Sequence, residues 1–151
     1  MRIFLTLCFI HDNERVLLGM KKRGFGAGKW NGFGGKLEEG ETLAAAARRE
    51  VKEEAGLEVT ALSRAGALEF VYPLEEKTLE VALFRTQEYA GKPKETDEMR
   101  PQWFPLDAVP FSEMWLDDPH WLPRFLQGKD ITGRFVFHDD DTLVSYDVAE
   151  Q

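Results

Sequence analysis

The run at residues 35–57, GKLEEGETLAAAARREVKEEAGL, constrains this chain more than any other. Alanines fill positions 44–47, good helix formers surround them, no Pro or Gly interrupts residues 42–55, and Gly56 supplies a stop. The pattern predicts a helix over 42–55. Glu50, Glu53 and Glu54 stand at i, i+3 and i+4 and share one face. Leu43, Ala46 and Ala47 lie on the same stripe one or two turns earlier, so an apolar stripe becomes a carboxylate stripe where the helix should still face protein. Like charges there repel, and they sit near the helix C-terminus, whose dipole favours cations. Stability alone predicts no such arrangement. A hard divalent cation offsets both penalties, and Mg²⁺ prefers carboxylate oxygens with water and substrate phosphate. A solvated acidic face is the other reading of an isolated E-x-x-E-E.

The surrounding spacing favours the cation. Gly35, five residues, Glu41, seven residues and then Arg49-Glu50-Val51-Lys52-Glu53-Glu54-Ala55-Gly56-Leu57 fill every fixed position of the Nudix box, G-x5-E-x7-R-E-U-x-E-E-x-G-U with U aliphatic. On these residues the chain resembles the Nudix family. The resemblance implies a Mg²⁺-dependent pyrophosphatase of nucleoside diphosphate derivatives, with Mn²⁺ as a substitute metal.

Composition narrows the partners. The 151 residues, 43% hydrophobic and 12% aromatic, fit one globular domain spanning 1–151. A net charge of -8 argues against a nucleic-acid polymer or an anionic membrane surface as partner. It leaves room for a small anionic nucleotide, because metal ions bridge acidic protein to phosphate. The single cysteine, Cys8, cannot form an internal disulfide, and a reducing, cytoplasmic setting fits, with a mitochondrial or nuclear fraction compatible. The apolar run 3–10 is short, contains Thr6 and lacks a small-residue cleavage site, so it reads as a strand rather than a signal core. No stretch is long enough to span a bilayer. A monomer is expected.

Along the chain, strands are predicted at 2–11 and 15–22, a Gly-rich loop at 23–28, and a short strand at 30–37 carrying Gly32, Gly34 and Gly35. After the helix come long strands at 57–72 and 77–90, a polar loop at 91–100, a strand at 102–104 and a helical turn at 106–109. A second helix follows at 119–126, with Asp117 or Asp118 as its cap, and a closing hairpin pairs 131–137 with 142–148. This order predicts an α/β fold, a mixed sheet with a helix on each side, which is also the Nudix fold. The aspartates at 139–141 read as a turn, since their spacing does not match an EF-hand. His11, His120 and His138 are scattered and support no zinc or nucleophilic constellation.

Segments outside the box sharpen the resemblance. Residues 17–28, 30–36, 97–101 and 114–118 together resemble the oxidised-purine triphosphatase branch of the Nudix family, the MutT homologues, over about residues 2–148. That branch implies hydrolysis of 8-oxo-dGTP, 2-oxo-dATP and related purines to the monophosphate and pyrophosphate. It also implies roles. Glu50, Glu53 and Glu54, with the Gly35 carbonyl, would hold metal; Glu98 would complete that site or stand as a solvated loop carboxylate; Arg49 would orient the carboxylates through its fork. Lys21 and Lys36 would face phosphates or sugar, although a lone surface lysine needs no such role. The base pocket would use Thr6, Leu7, Asn31, Phe33, Phe70, Leu79, Trp115, Asp117, Asp118 and Phe137, with Phe33, Phe70 and Phe137 divided between pocket and core. Asp117 and Asp118 would share a proton in an apolar pocket, or one of them would simply cap the following helix. Leu79 stands where members of the branch carry Met. Other Nudix substrates (ADP-ribose, dinucleoside polyphosphates) and a non-catalytic nucleotide-binding module are the competing readings.

Overall fold

A computed structural model describes all residues 1–151. The apolar run near the start forms β1 (Arg2–His11), whose alternation divides the core. Phe9 points to one face, where it joins Val16, Leu18, Trp121 and Phe125. Cys8 and Ile10 point to the other, where they join Leu17, Phe33, Ala47 and Val51. Burial there pushes the Cys8 thiol up to about 12, so it packs as a small apolar group.

The remaining strands are β2 (Arg15–Lys21), β3 (Trp30–Asn31), β4 (Phe33–Lys36), β5 (Glu58–Tyr72), β6 (Lys77–Ala90), β7 (Met99–Pro105), β8 (Ile131–Asp139) and β9 (Thr142–Glu150). They form one mixed sheet in the order β3-β2-β1-β6-β5-β8-β9, with β4 added to β1 and β7 to β2. The β1–β6 and β5–β8 pairs are parallel. β2 and β4 share one edge of β1, β2 at Ile10 and His11, β4 from Leu5 to Cys8, so the sheet curls there.

Two helices cover opposite faces. The first, α1 (Leu43–Ala55), starts where the Thr42 side chain accepts from Ala45 N and stops at Gly56 with φ 73. It buries Ala46, Ala47, Val51 and Ala55. The second, α2 (Asp118–Leu126), buries Trp121, Leu122, Phe125 and Leu126 on the other face. The predicted mixed sheet with a helix on each side is thus the observed architecture. No helix is long and apolar enough to cross a membrane.

Two of the differences from expectation bear on the site. The strand predicted over 30–37 divides at Gly32: Trp30–Asn31 pairs with β2, whereas Phe33–Lys36 pairs with β1. A Cβ at Gly32 would lie 2.8 Å from the Cys8 carbonyl oxygen, so only glycine lets the chain cross between the two strands. The strand predicted at 102–104 begins instead at Met99, because Met99 and Arg100 extend the ladder opposite Lys21 and Met20.

Candidate active site

The box helix presents its carboxylates at graded depth. Glu54 continues the buried stripe and is 3% exposed. Glu50 is largely enclosed, and Glu53 faces solvent. Arg49 organises them. Its Nε and Nη2 donate to the two oxygens of Glu41 at 2.6 and 2.9 Å, a bidentate pair that ties α1 to the loop before it. Nη1 reaches Glu50 Oε1 at 2.8 Å and Glu53 Oε2 at 3.3 Å, and Nη2 also donates to the Lys36 carbonyl at 3.2 Å. This fork lowers the Glu41 pKa to about 2.

Glu54 behaves differently. Its carboxylate accepts one hydrogen bond, from Gly34 N–H at 2.9 Å. Desolvation first, and then the charge of Glu50, raise its pKa to about 8. Desolvation also raises Glu50, against the opposing pull of Arg49. Glu98 lies on the loop before β7 and accepts from Arg23 Nε and Nη2 at 3.1 and 2.7 Å; that contact lowers its pKa.

Gly35, Glu50, Glu53, Glu54 and Glu98 were expected to gather around a cation, but no three such side chains converge on one point in this structure. Chain donors hold each carboxylate: Arg49 takes Glu50 and Glu53, Gly34 N–H takes Glu54, and Arg23 takes Glu98. The donor set still fits a hard divalent ion, since every donor is an oxygen. A buried carboxylate without a hydrogen-bonded cation partner, as at Glu54, is what such an ion would stabilise. A Cβ at Gly35 would stand 2.6 Å from Glu50 Oε1, so glycine alone brings this backbone beside that carboxylate.

Next to the Gly34-Gly35 backbone lies a cavity of about 300 Å³. Lys21, Gly35 and Lys36 line it, together with Thr6, Leu7 and Asn31. Phe70, Leu79, Trp115, Asp117 and Phe137 also line it. The Thr6 hydroxyl is buried without a hydrogen-bond partner. A broader hollow of about 730 Å³ runs along β5, β6 and β8; the smaller cavity is the one placed for chemistry, because its Gly34-Gly35 wall lies directly against Glu54 and Glu50.

Asp117 and Asp118 stand at the start of α2, with Asp117 on the cavity wall. Both residues are buried, at 3% and 2% exposure. Neither side chain caps the helix. Instead Asp117 Oδ2 accepts from Trp121 Nε1 at 2.8 Å, while Asp118 Oδ2 has no partner. Burial raises Asp117 to about 6, against the opposing hydrogen bond from Trp121. Burial and the Asp117 charge raise Asp118 well above the usual carboxylate range. Two carboxyls so placed do not ionise together.

Two expected pocket residues stand apart from the cavity lining. Phe33 is fully buried in the core under α1, because its place in β4, opposite Cys8, turns the ring to that face. Asp118 is enclosed and does not line the cavity. Conversely, Phe25, Lys29 and Tyr72 line it and were not anticipated. The Phe25 ring lies 4.9 Å from Trp115, and Lys29 Nζ stands 5.2 Å above that same ring. Tyr72 stacks on Phe137 at 5.3 Å. The strand period held the signal for Tyr72, two residues beyond Phe70 on the same face. The glycines around Phe25 held it for the loop: Gly24, Gly26 and Gly28 all have positive φ, and a Cβ at Gly26 would meet Trp115 at 3.4 Å.

Known proteins align with this geometry. The NUDIX domain model matches residues 2–125. An oxidized purine nucleoside triphosphate hydrolase of Danio rerio is 52% identical over 97% of this chain and 94% of its own length. The protein of the same name from Mus musculus is 49% identical over 96% of this chain and 93% of its own. Among solved structures, a MutT protein from Bacillus halodurans superimposes with a TM-score of 0.83 at 29% identity, covering 97% of both chains.

Proposed function

This chain belongs to the Nudix family, and we propose that it hydrolyses oxidised purine nucleoside triphosphates to the monophosphate and pyrophosphate. One observation carries the reading. A single cavity is lined at once by Lys21, Lys36 and the Gly35 backbone, groups suited to phosphate, and by the aromatic rings of Phe70, Trp115 and Phe137 with Asp117.

The base would lie among Trp115, Phe70 and Phe137, where stacking holds a purine plane. Asn31 offers both a donor and an acceptor to its edge. Asp117, on the cavity wall, shares protons with the enclosed Asp118 behind it, so it presents a donor or an acceptor to the base, and the two states match 8-oxoguanine and 2-oxoadenine edges. Lys21 and Lys36 meet the phosphates. Glu50, Glu53, Glu54 and Glu98, with the Gly35 carbonyl, would hold a divalent cation, Mg²⁺ with Mn²⁺ as substitute, whose chemistry when bound is neutralising phosphate charge and acidifying water. Arg49 keeps Glu50 and Glu53 aimed along one side of α1. Glu53 or Glu98, both open to solvent, takes the proton of the attacking water on a carboxylate oxygen. The same reading has the chain act as a single-domain monomer in the cytoplasm, with a mitochondrial or nuclear share, removing damaged nucleotides from the pool; its lone, buried cysteine supports a reducing compartment.

The test is a panel of specificity constants with Mg²⁺: 8-oxo-dGTP, 2-oxo-dATP, dGTP, ADP-ribose and a dinucleoside polyphosphate. Oxidised purines should lead, with pyrophosphate released in one step and no sequential orthophosphate. A higher kcat/KM for ADP-ribose or the dinucleoside polyphosphate overturns the assignment.

A further inference from the structure

Arg85 on β6 lies six residues beyond Leu79 in the same strand, roughly 20 Å along it at ordinary strand rise. Its side chain is 17% exposed and clamps the C-terminal end of α2. Nη1 donates to the Phe125 carbonyl at 2.8 Å, and Nη2 donates to the Lys129 carbonyl at 2.6 Å. Nη1 also reaches His11 Nε2 at 3.2 Å, and Nη2 reaches Asp130 Oδ1 at 3.4 Å. The guanidinium carbon stands 4.1 Å from the centroid of the Phe125 ring. A planar fork can cap two carbonyls and stack on an aromatic ring at once; an ammonium cannot.

This helix depends on such a clamp. α2 has 9 residues, with Pro119 in its first turn and Pro123 inside it. A proline in the interior gives no N–H to the ladder, and a helix this short has little stability of its own. Its position therefore comes from its ends and its packed face. From the clamped end a line of contacts runs back to the cavity. The Phe125 ring meets Trp121 edge-on at 5.5 Å and 83°. Trp121 Nε1 donates to Asp117 Oδ2, and Asp117 lines the cavity.

We propose that Arg85 is a positioning residue for the base recess: by clamping the end of α2 it sets where Trp121, and through it the Asp117 carboxylate, stand. The proposal rests on reading that cavity as the base site. Its physical basis is a packed helix whose side chains touch one another from Phe125 through Trp121 to Asp117, so that a displacement of the clamped end is carried to the other.

The test uses the full chain with Arg85→Met, which keeps apolar contact with Phe125 but removes every donor, and Arg85→Lys, which keeps one charge. The first readout is the Trp121 indole N–H resonance and its exchange protection, observed without substrate. The second is the split between KM and kcat for 8-oxo-dGTP. In Arg85→Met the indole resonance should move and lose about ten-fold in protection, and KM should rise about ten-fold with kcat within about two-fold, as misplacement of a binding group predicts. Arg85→Lys should fall between this variant and wild type. Val59→Ala, in the core under α1, supplies a comparably destabilised control that should move neither readout. A folded Arg85→Met with wild-type indole signal and KM overturns the proposal, and so does a control that moves both. Should Arg85→Met fail to fold, Arg85→Lys decides on the same two measurements. If the substrate assignment fails instead, wild type prefers another nucleotide while the indole readout still decides the role of Arg85.

Discussion

At Glu54 burial and charge oppose each other. The carboxyl is 3% exposed, receives one N–H, and titrates at about 8 because desolvation and the Glu50 charge disfavour its ionised form. That arrangement costs the fold stability, and the proposed metal site accounts for it. Glu54→Gln keeps the volume and helix propensity and removes the charge. In chelator the variant should melt at or above the wild-type temperature. Added Mg²⁺ should raise the wild-type Tm and leave the variant almost unmoved, since an ion bound only by the folded state stabilises it. Turnover should fall by at least about a hundred-fold, roughly 2.7 kcal/mol of lost transition-state stabilisation. Scanning calorimetry with and without Mg²⁺ checks the first outcome, and a variant with near-wild-type turnover removes Glu54 from the metal set. Asp117 and Asp118 call for a different substitution. Asn keeps their shape but always carries both a donor and an acceptor, so it cannot switch by losing a proton. Each Asn variant should change the ratio of 8-oxo-dGTP to 2-oxo-dATP turnover, costing on the order of 1–3 kcal/mol for the worse-matched base, with the metal requirement intact. Specificity constants for both substrates measure this, and unchanged ratios in both variants refute proton sharing.

Among the elements, β4 does the most with the fewest residues, because neighbouring glycines serve different ends. A Cβ on Gly34 would overlap the Thr6 carbonyl oxygen of the paired strand, where only backbone can yield. A Cβ on Gly35 would meet the Glu50 carboxylate at 2.6 Å, and that flexible side chain can swing away. Gly34→Ala should therefore lose about 3 kcal/mol or more of stability, read from urea unfolding. Gly35→Ala should fold within about 1 kcal/mol of wild type yet lose most of its turnover, because Glu50 is displaced. Equal stability losses in the two variants contradict this division. The same strand shows what could be read from sequence and what could not. The box gave α1, its bounds at Thr42 and Gly56 and the shared carboxylate face, because helix period, the glycine stop and charge all act locally, whereas the depth of each carboxylate is set by tertiary packing. The division of 30–37 at Gly32 depends on which of β1 and β2 each half meets, and that is fixed by tertiary pairing. Phe33 went to the core rather than the pocket for the same reason: a strand's period gives two faces but does not say which one faces the ligand. The carboxylates of α2 were legible as a proton-sharing pair set against a helix cap, but the Trp121 partner of Asp117 was not, because their contact forms only once the helix has formed.

For the whole molecule, the buried acids set how stability responds to pH. Glu54 titrates at about 8, Asp117 at about 6, and Asp118 well above its ordinary value. Each binds its proton more tightly folded than unfolded. Between the unfolded and folded values the native state therefore holds more protons, and stability falls as pH rises through that window. The opposite limb has other sources. Burial lowers the His11 pKa below 6.5; the unfolded chain then binds that proton first, and stability is lost as pH falls from 6.5 toward the folded value. Glu41 and Asp12 are lowered by their donors and lose their contribution only as pH falls through their folded values, on the acid side of about pH 5. A net charge of -8 at pH 7 adds self-repulsion that grows on the alkaline side. In chelator the three raised acids together outweigh His11, so stability should fall as pH rises from about 4.5 toward 8, and the protein should melt lower at pH 8.5 than at pH 6. Asp117→Asn with Asp118→Asn should flatten the slope from about pH 4 upward through pH 6, and Glu54→Gln should flatten it between about pH 4.5 and 8. Mg²⁺ should also shallow the alkaline limb in wild type, because a cation bound at the box carboxylates favours their ionised forms. Calorimetric melting across this range, in chelator and in Mg²⁺, gives all these slopes from one protein preparation. A wild-type Tm that climbs steadily from pH 6 to 8.5 in chelator rules out the raised pKa values on which the acid sharing in the base recess depends.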